Sequence, residues 1–409
     1  MSAPSGAPVD PRLIQDAPGL KGAWQGFRRR VSQGELGSLP VIIGLSVIWL
    51  IFYAANERFL SAVNLTNLML QIAAMGTISS GIVLVLLLGE IDLSAGAVSG
   101  LSASVMTILN VKQGWAPVPA LLAGLATGAG IGLFHGLWMT RLRVPSFVVT
   151  LAGLLGWQGA LLFVLGGTGT VNLNDRLITG LTGTFFGPEI AWPVAALIIL
   201  AYVATVLVER WKRAAAGLPQ KHLRSTVARV VVISGAILAA IAVFTQDRGL
   251  PLAALIFAGF VLMLELVIRH TRFGRHVFAV GGNAEAARRA GIRVEAVRTA
   301  IFTLGSTMAA AGGILASSRL LAVNQSSGSG DVLLNAIAAA VIGGTSLFGG
   351  RGSAWSALLG ALVIGSISNG MDLLALSSSV KFMVTGAVLL VAASIDALSR
   401  RGRQAAGRA

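Results

Sequence analysis

Apolar residues run along this chain in blocks separated by short polar breaks. The blocks fall near 39–56, 65–89, 93–110, 118–140, 146–166, 191–208, 230–246, 251–268, 299–317, 332–348, 354–371 and 380–397. A block of about 17–25 apolar residues is the length a helix needs to cross the hydrocarbon of a bilayer. The pattern predicts an all-α polytopic integral membrane protein, residues 39–398, with about 10–12 transmembrane helices, some broken or re-entrant.

Two breaks leave no room for a loop. GEIDLSAG (89–96) follows IVLVLLL directly, and GGTSLFGGRGS (343–353) follows AIAAAVI. Both fit G-x-x-[DS]-L-x-x-G between apolar runs, which is compatible with a parallel internal repeat. Gly89, Gly343 and Gly344 are the hinge candidates.

The stretch GGNAEAARRAGI (281–292) is of another kind. Asn283 can cap a helix through its side-chain oxygen, and Gly291 can end one by taking positive φ. The helix between them has barely two turns and carries Glu285, Arg288 and Arg289 among Ala284, Ala286, Ala287 and Ala290. A helix this short is not self-supporting in water, so it must lean on something. The polar segment around it, 269–298, is far longer than a plain connection needs.

Composition agrees with a membrane protein. Of 409 residues, 55% are hydrophobic and 11% charged, with a mean hydropathy of +0.80. A soluble surface needs more charge than that. The 51 glycines fit close helix packing in lipid. With no cysteine, disulfides and thiolate metal sites are excluded.

The net charge of +15 raises nucleic acid as a partner. Placing the chain with both termini in the cytoplasm disposes of it. All but six of the 31 basic residues (Arg58, Lys112, Arg176, Arg248, Arg319 and Lys381) then lie on the inner side. Residues 1–38 form a cytoplasmic tail without the apolar h-region of a cleavable signal. Its Trp24, Phe27 and Arg28–Arg30 suit the inner leaflet, and a plain disordered tail fits equally. A basic cytoplasmic tail, 399–409, closes the chain.

No P-loop, H-E-x-x-H or G-x-S-x-G occurs, so the chain carries no ATPase, zinc-protease or hydrolase signature. His135, His222, His270 and His276 are scattered and form no metal-ligand pair. His135, within a span, reads as a hydrogen-bond partner for a neighbouring helix. Glu90 and Asp92 border hydrocarbon, where carboxylates are expensive. They read either as pathway contacts for an ion or a sugar hydroxyl, or as part of a hinge, with Asp92 or Ser94 capping the next helix. The cap is preferred. The in-span amides Gln71, Gln158, Asn335 and Asn369 could bind a polar solute, but more often such groups bond helix to helix. Glu265 and Arg269 have the spacing of an i,i+4 ion pair. Asp372 and Lys381 read as facing water.

Taken in order, GEIDLS, GRHVFAVGGNAEAARRAGI, AIAAAVIGGTSLFGGRGS and the closing span resemble the permeases of bacterial sugar ABC importers, the family of ribose, galactose and xylose permeases. Glu90 before Ile-Asp, the stretch 150–170 and the extra spans between 190 and 268 look most like the xylose-type branch. The resemblance implies a transport subunit in the bacterial cytoplasmic membrane rather than an enzyme. It implies a second copy of the permease, cytoplasmic ABC ATPase subunits that bind ATP and Mg, and a periplasmic or extracellular sugar-binding protein. This chain would hold no cofactor, and Asn283–Gly291 would be the ATPase-coupling helix. Another small polar nutrient, or an ion-coupled secondary transporter, is the alternative. The family commonly has an acid where Asn335 stands, and Asp331 is the nearby candidate to replace it.

Overall fold

A computed structural model describes residues 39–218 and 223–405, so the predicted tail 1–38 lies outside the described residues. Its helices are α1 (Leu39–Ala55), α2 (Ala62–Leu87), α3 (Ala95–Thr107), α4 (Pro117–Leu142), α5 (Ser146–Leu165), α6 (Arg176–Gly183), α7 (Pro188–Ala215) and α8 (Leu223–Thr245). They continue as α9 (Leu252–His270), α10 (Arg272–Gly282), α11 (Ala284–Arg289), α12 (Val294–Leu320), α13 (Gly330–Ile342), α14 (Ala354–Leu373) and α15 (Ser378–Ala405). Two short antiparallel strand pairs, β1 (Thr170–Asn172) with β4 (Ala322–Asn324) and β2 (Phe185–Phe186) with β3 (Leu250–Pro251), close the end opposite α10 and α11.

Among the described residues, eight helices are long and apolar enough to cross a membrane. These are α2, α4, α5, α7, α8, α9, α12 and α14. The all-α polytopic architecture stands. Four of the twelve predicted spans are not among these eight: α1 and the apolar part of α15, Ser378–Val391, are shorter apolar helices, and two more fall well short. Residues 93–110 and 332–348 give α3 and α13, of 13 residues each. At 1.5 Å per residue each is only about 20 Å long, against about 30 Å of hydrocarbon. A π-helical turn, Ile108–Lys112, extends α3, while Leu347 and Phe348 belong to an irregular loop that merely looks like more helix in sequence.

The parallel repeat is also corrected. Helices α2 and α12 cross antiparallel at the centre, where Gly81 meets Gly305 and Gly312 meets Ala74. Around this pair the packing repeats. The first half's α3 and α4 lie on α12, as the second half's α13 and α14 lie on α2. α3 carries α5 as α13 carries α15. The halves α2–α5 and α12–α15 are therefore inverted repeats. The 89–94 break follows a long helix and precedes a short one, whereas the 343–353 break follows a short helix and precedes a long one. They are not equivalent positions.

Glycine spacing holds α4 against α12. Gly124, Gly128, Gly132 and Gly136 recur every four residues and so share one helix face. A Cβ at Gly128 would sit 2.5 Å from the Ala310 Cβ, and one at Gly136 would sit 2.6 Å from the Thr299 Cα. The polypeptide backbones touch because no side chains intervene. Gly130, on the opposite face, meets nothing within 4 Å. We predict that Gly128→Val destabilises the detergent-solubilised protein by about 1–3 kcal/mol through overpacking, whereas Gly130→Val leaves the thermal midpoint unchanged. Equal midpoints for the two variants would contradict this packing.

Candidate functional site: the junction of the broken helices with α10–α11

α11 is capped at both ends. The Asn283 Oδ1 accepts the Ala286 N–H at 2.9 Å. Gly291, at φ +84°, ends the helix. Its N–H donates to Arg288 O and the Ile292 N–H donates to Ala287 O, both at 3.0 Å. That is a Schellman closure, and it lets six helical residues hold a fixed shape. Ala287 is buried in the core with Val277, Val280 and Val294, so α11 leans on α10 and α12. Helix α10, whose first turn is capped by the Thr271 hydroxyl on the Gly274 N–H, is absent from the apolar pattern. The repeated Gly281-Gly282 at its end was the one signal of close approach.

The charges of α11 are engaged within the chain. Glu285 pairs with Arg288 and Arg289 at 3.1 Å each, and Arg288 also reaches Glu295 at 3.2 Å. All are largely exposed, with Arg289 at 79%, so each pair contributes about 0.2–1 kcal/mol and exchanges readily.

Where α10 ends, three glycine turns meet backbone to backbone. The Gly350 N–H donates to the Leu87 carbonyl at 2.9 Å. A Cβ on Gly281 would collide with that same carbonyl, and it would lie 2.7 Å from the Gly350 nitrogen. Gly89 (φ +73°) would meet the Phe348 carbonyl at 3.2 Å, and Gly349 (φ +82°) the Gly281 carbonyl at 2.6 Å. Both broken helices and the segment leading into α11 thus share one point.

Two carboxylates flank it. Glu90 binds Arg298, on α12, at 2.9 Å and accepts the hydroxyl of Ser146, on α5, at 2.6 Å. Glu265 pairs with Arg269 at 3.3 Å, as its spacing predicts. Its other oxygen accepts the Ala354 N–H at 2.8 Å and the Ser353 hydroxyl at 3.1 Å, which caps α14. Arg269 also donates to the Gly352 carbonyl at 2.9 Å. Sequence spacing reveals the i,i+4 pair but not Glu90–Arg298, whose members are 208 positions apart.

Asp92 is buried and accepts both the Ser94 N–H (2.8 Å) and the Ser94 hydroxyl (2.6 Å). These bonds stop at Ser94, the residue before α3, and Ser94 makes no side-chain cap, so the expected cap by Asp92 or Ser94 is corrected: Asp92 fastens the turn ahead of the helix. Beside it lies a cavity of about 70 Å³ between α2 and α13, lined by Ile82, Ile91, Asp92, Ile337 and Leu347. His135 is fully buried and accepts the Trp157 indole N–H from α5 at 2.9 Å, a bond to a neighbouring helix.

The amides are not gathered together. Asn369 and Asn64 bond reciprocally at 2.8 and 3.0 Å and tie α14 to α2. Gln158 donates to the Gln325 carbonyl at 3.0 Å. Gln71 and Asn335 are half-buried, and no hydrogen bond holds either side chain among the described residues. Gly343 packs on the Ser356 carbonyl, and Gly344 takes φ +102°. Asp372 and Lys381, read as merely facing water, form an ion pair across the α14–α15 turn. Among the described residues, no group of three or more His, Asp or Glu is placed to hold a metal ion.

A family described as branched-chain amino acid transport system / permease component matches residues 64–393. The chain belongs to this family. As a permease component it is a multi-pass membrane subunit of a transport system rather than an enzyme. Its relatives include the xylose transport system permease protein XylH of Escherichia coli K12, 36% identical over 88% of this chain and 92% of the relative. XylH of Haemophilus influenzae is 34% identical over 88% and 96%. The ribose import permease protein RbsC of Bacillus subtilis is 31% identical over 89% and 94%. These sugar permeases agree with the resemblance drawn from the motifs, including its xylose-type leaning. No solved structure matches the chain.

The junction makes two contrasts testable in this permease. Gly281→Ala forces the Leu87 and Gly350 backbones apart and is expected to lower the thermal midpoint by several degrees. Gly282→Ala, which meets nothing within 4 Å, is expected to be silent. Arg298→Gln is expected to cost about 1–2 kcal/mol, between an exposed and a buried ion pair. The exchange Glu90→Arg with Arg298→Glu should restore part of that loss, and a double variant no better than the single one would count against the pair.

Proposed function

We propose that the chain is the membrane-spanning subunit of an ATP-binding-cassette importer for a monosaccharide, xylose or a related pentose. The assignment of sugar rests on the 36% and 34% identity to xylose permeases over most of the chain. Two copies would form the pathway, a soluble binding protein would deliver sugar from outside, and ATP with Mg would bind the partner ATPase rather than this chain. The distribution of Arg and Lys supports both termini, and α10–α11, facing the cytoplasm.

One observation carries the coupling assignment. The end of α10 touches the 87–89 turn and the 348–350 turn through backbone alone. A displacement of α11 by a docked ATPase therefore reaches both broken helices with no side chain in between to absorb it. Arg298, at the start of α12, carries the same displacement to Glu90 and on to α5 through Ser146. Asn283–Gly291 form the docking surface. The exposed Glu285, Arg288 and Arg289 can exchange their weak internal pairs for charges on the partner. Gly89, Gly343 and Gly344 serve as hinges, and the half-buried Gln71 and Asn335 remain available to sugar hydroxyls.

An ion-coupled transporter would need a carboxylate in the spans able to take up and release its ion. Both candidates are already engaged, Asp92 with Ser94 and Glu90 with Arg298 and Ser146. The ATP-driven reading therefore stands ahead of it.

The test is a pull-down of the tagged chain from mild-detergent extracts of its native membrane, paired with xylose uptake in the same cells. Wild type is expected to retain a Walker-motif ATPase. Arg288→Glu with Arg289→Glu is expected to lose it and to reduce uptake at least about tenfold, the effect of about 1.4 kcal/mol of docking energy. Wild-type chain that captures no ATPase even after crosslinking, with uptake abolished by a protonophore at normal ATP levels, would overturn the proposal.

A further inference from the structure

The irregular segment 325–329, between β4 and α13, lies at membrane depth. α5 has 20 residues, so at 1.5 Å each it spans about 30 Å, the thickness of the hydrocarbon. Gln158 stands seven residues, about 10 Å, before the end of α5. There its side chain donates to the Gln325 carbonyl at 3.0 Å. Glycine brings the segment equally close to α3. A Cβ on Gly100 would collide with the Ser327 carbonyl, and one on Gly328 with the Gly96 carbonyl.

The segment holds its own shape. The Asn324 carbonyl accepts the Ser327 N–H and the Ser326 carbonyl accepts the Ser329 N–H, both at 3.0 Å. The Asn324 side chain accepts the Ser326 N–H at 2.9 Å. Gln325 and Ser326 are exposed, and among the described residues no hydrogen bond holds either side chain. Asp331 is exposed as well, tied to the segment by the Ser329 hydroxyl at 2.6 Å. Irregular polar chain at this depth does not face lipid, which offers its amides and hydroxyls no partner. It lines water or protein. Gln158 alone would need only a helix-to-helix bond to explain it. Its bond instead fixes a segment whose free polar groups point away from the bundle.

We propose that residues 325–331 form a wall of the solute pathway and a subsite for a neutral, polyhydroxylated solute, held in place by Gln158. The inference deepens the sugar-importer reading above and rests on it for the choice of a monosaccharide. Gln325, Ser326 and Asp331 together offer an amide, a hydroxyl and a carboxylate, the mixture of donors and acceptors that sugar hydroxyls require. No basic residue belongs to the segment, and the Asp331 carboxylate repels a phosphorylated solute.

The chain has no cysteine, so one introduced thiol can be followed in the assembled importer in native membranes. Ser326→Cys and Gln325→Cys are compared with Leu197→Cys, at an exposed position about 13 Å into α7 from the same end. A charged, membrane-impermeant thiol reagent is expected to label the two segment variants at least about tenfold faster, because the reactive thiolate forms in water and not in hydrocarbon. Xylose at about four times its Kd is expected to slow that labelling about fivefold, the factor 1 + [L]/Kd. Xylose phosphate at the same concentration should leave the rate unchanged. Labelling as slow as in Leu197→Cys overturns the wall, whatever the solute. Disulfide-linked pairs of Ser326→Cys chains without labelling assign the segment to contact between two copies, and overturn it too. Rapid labelling that no neutral monosaccharide or nucleoside slows overturns the subsite. Protection by a nucleoside and not by xylose upholds the subsite and overturns only the choice of sugar, so the two failures are distinguishable. Should Ser326→Cys fail to assemble, Gln325→Cys decides by the same outcomes.

Discussion

A single backbone contact fixes the geometry of the site. The Leu87 carbonyl, at the end of α2, accepts the Gly350 N–H and lies where a Cβ of Gly281 would stand. Three chain segments approach one another as closely as polypeptide allows. Any larger residue at Gly281 would push them apart. The order of elements around this point follows from it. α2 must end there, the irregular 343–353 segment must turn there, and α10 must hand over to α11 within reach of it.

The ionic groups nearby make such a junction tolerable at the edge of hydrocarbon. Irregular backbone at membrane depth needs its polar groups satisfied by protein. Glu265 meets the freed N–H of Ala354 and is itself balanced by Arg269, which in turn takes the Gly352 carbonyl. Glu90 is balanced by Arg298 and by a hydroxyl. Asp92 is occupied by Ser94. Each break is thereby held by local groups, and α11 is left exposed on the surface.

The sequence showed clearly whatever lipid or local geometry dictates. Apolar runs marked the long helices, because a bilayer admits few alternatives. Asn283, Gly291 and Gly89 could be read as caps and stops because their roles depend on neighbours within a few residues. The same holds for Glu265 with Arg269. The site's long-range half was hidden. Arg298 with Glu90, Asn64 with Asn369, and Gly281 with Leu87 are set by topology, and no periodicity records them. The short α3 and α13 were masked by apolar residues that continue past their ends. The repeat was read as parallel because similar turn residues stand at two breaks. It is packing, not turn composition, that relates the halves, and the packing is inverted.

That inverted packing has a consequence for assembly. The halves are interleaved, since the first half's α4 lies on α12 and the second half's α14 lies on α2. α2 is the most buried of the candidate spans, with 89% of its apolar window enclosed, and most of what encloses it is made later. At roughly 5–20 residues per second, α12 is completed on the order of ten to fifty seconds after α2 leaves the ribosome. During that interval α2 must wait in lipid without the Asn369 that finally pairs with Asn64, although Thr66, Thr77 and Ser80 already bond carbonyls one turn earlier in the chain. Its hydropathy of 2.0 lets it insert alone, but the centre of the bundle closes only after most of the chain has entered the membrane.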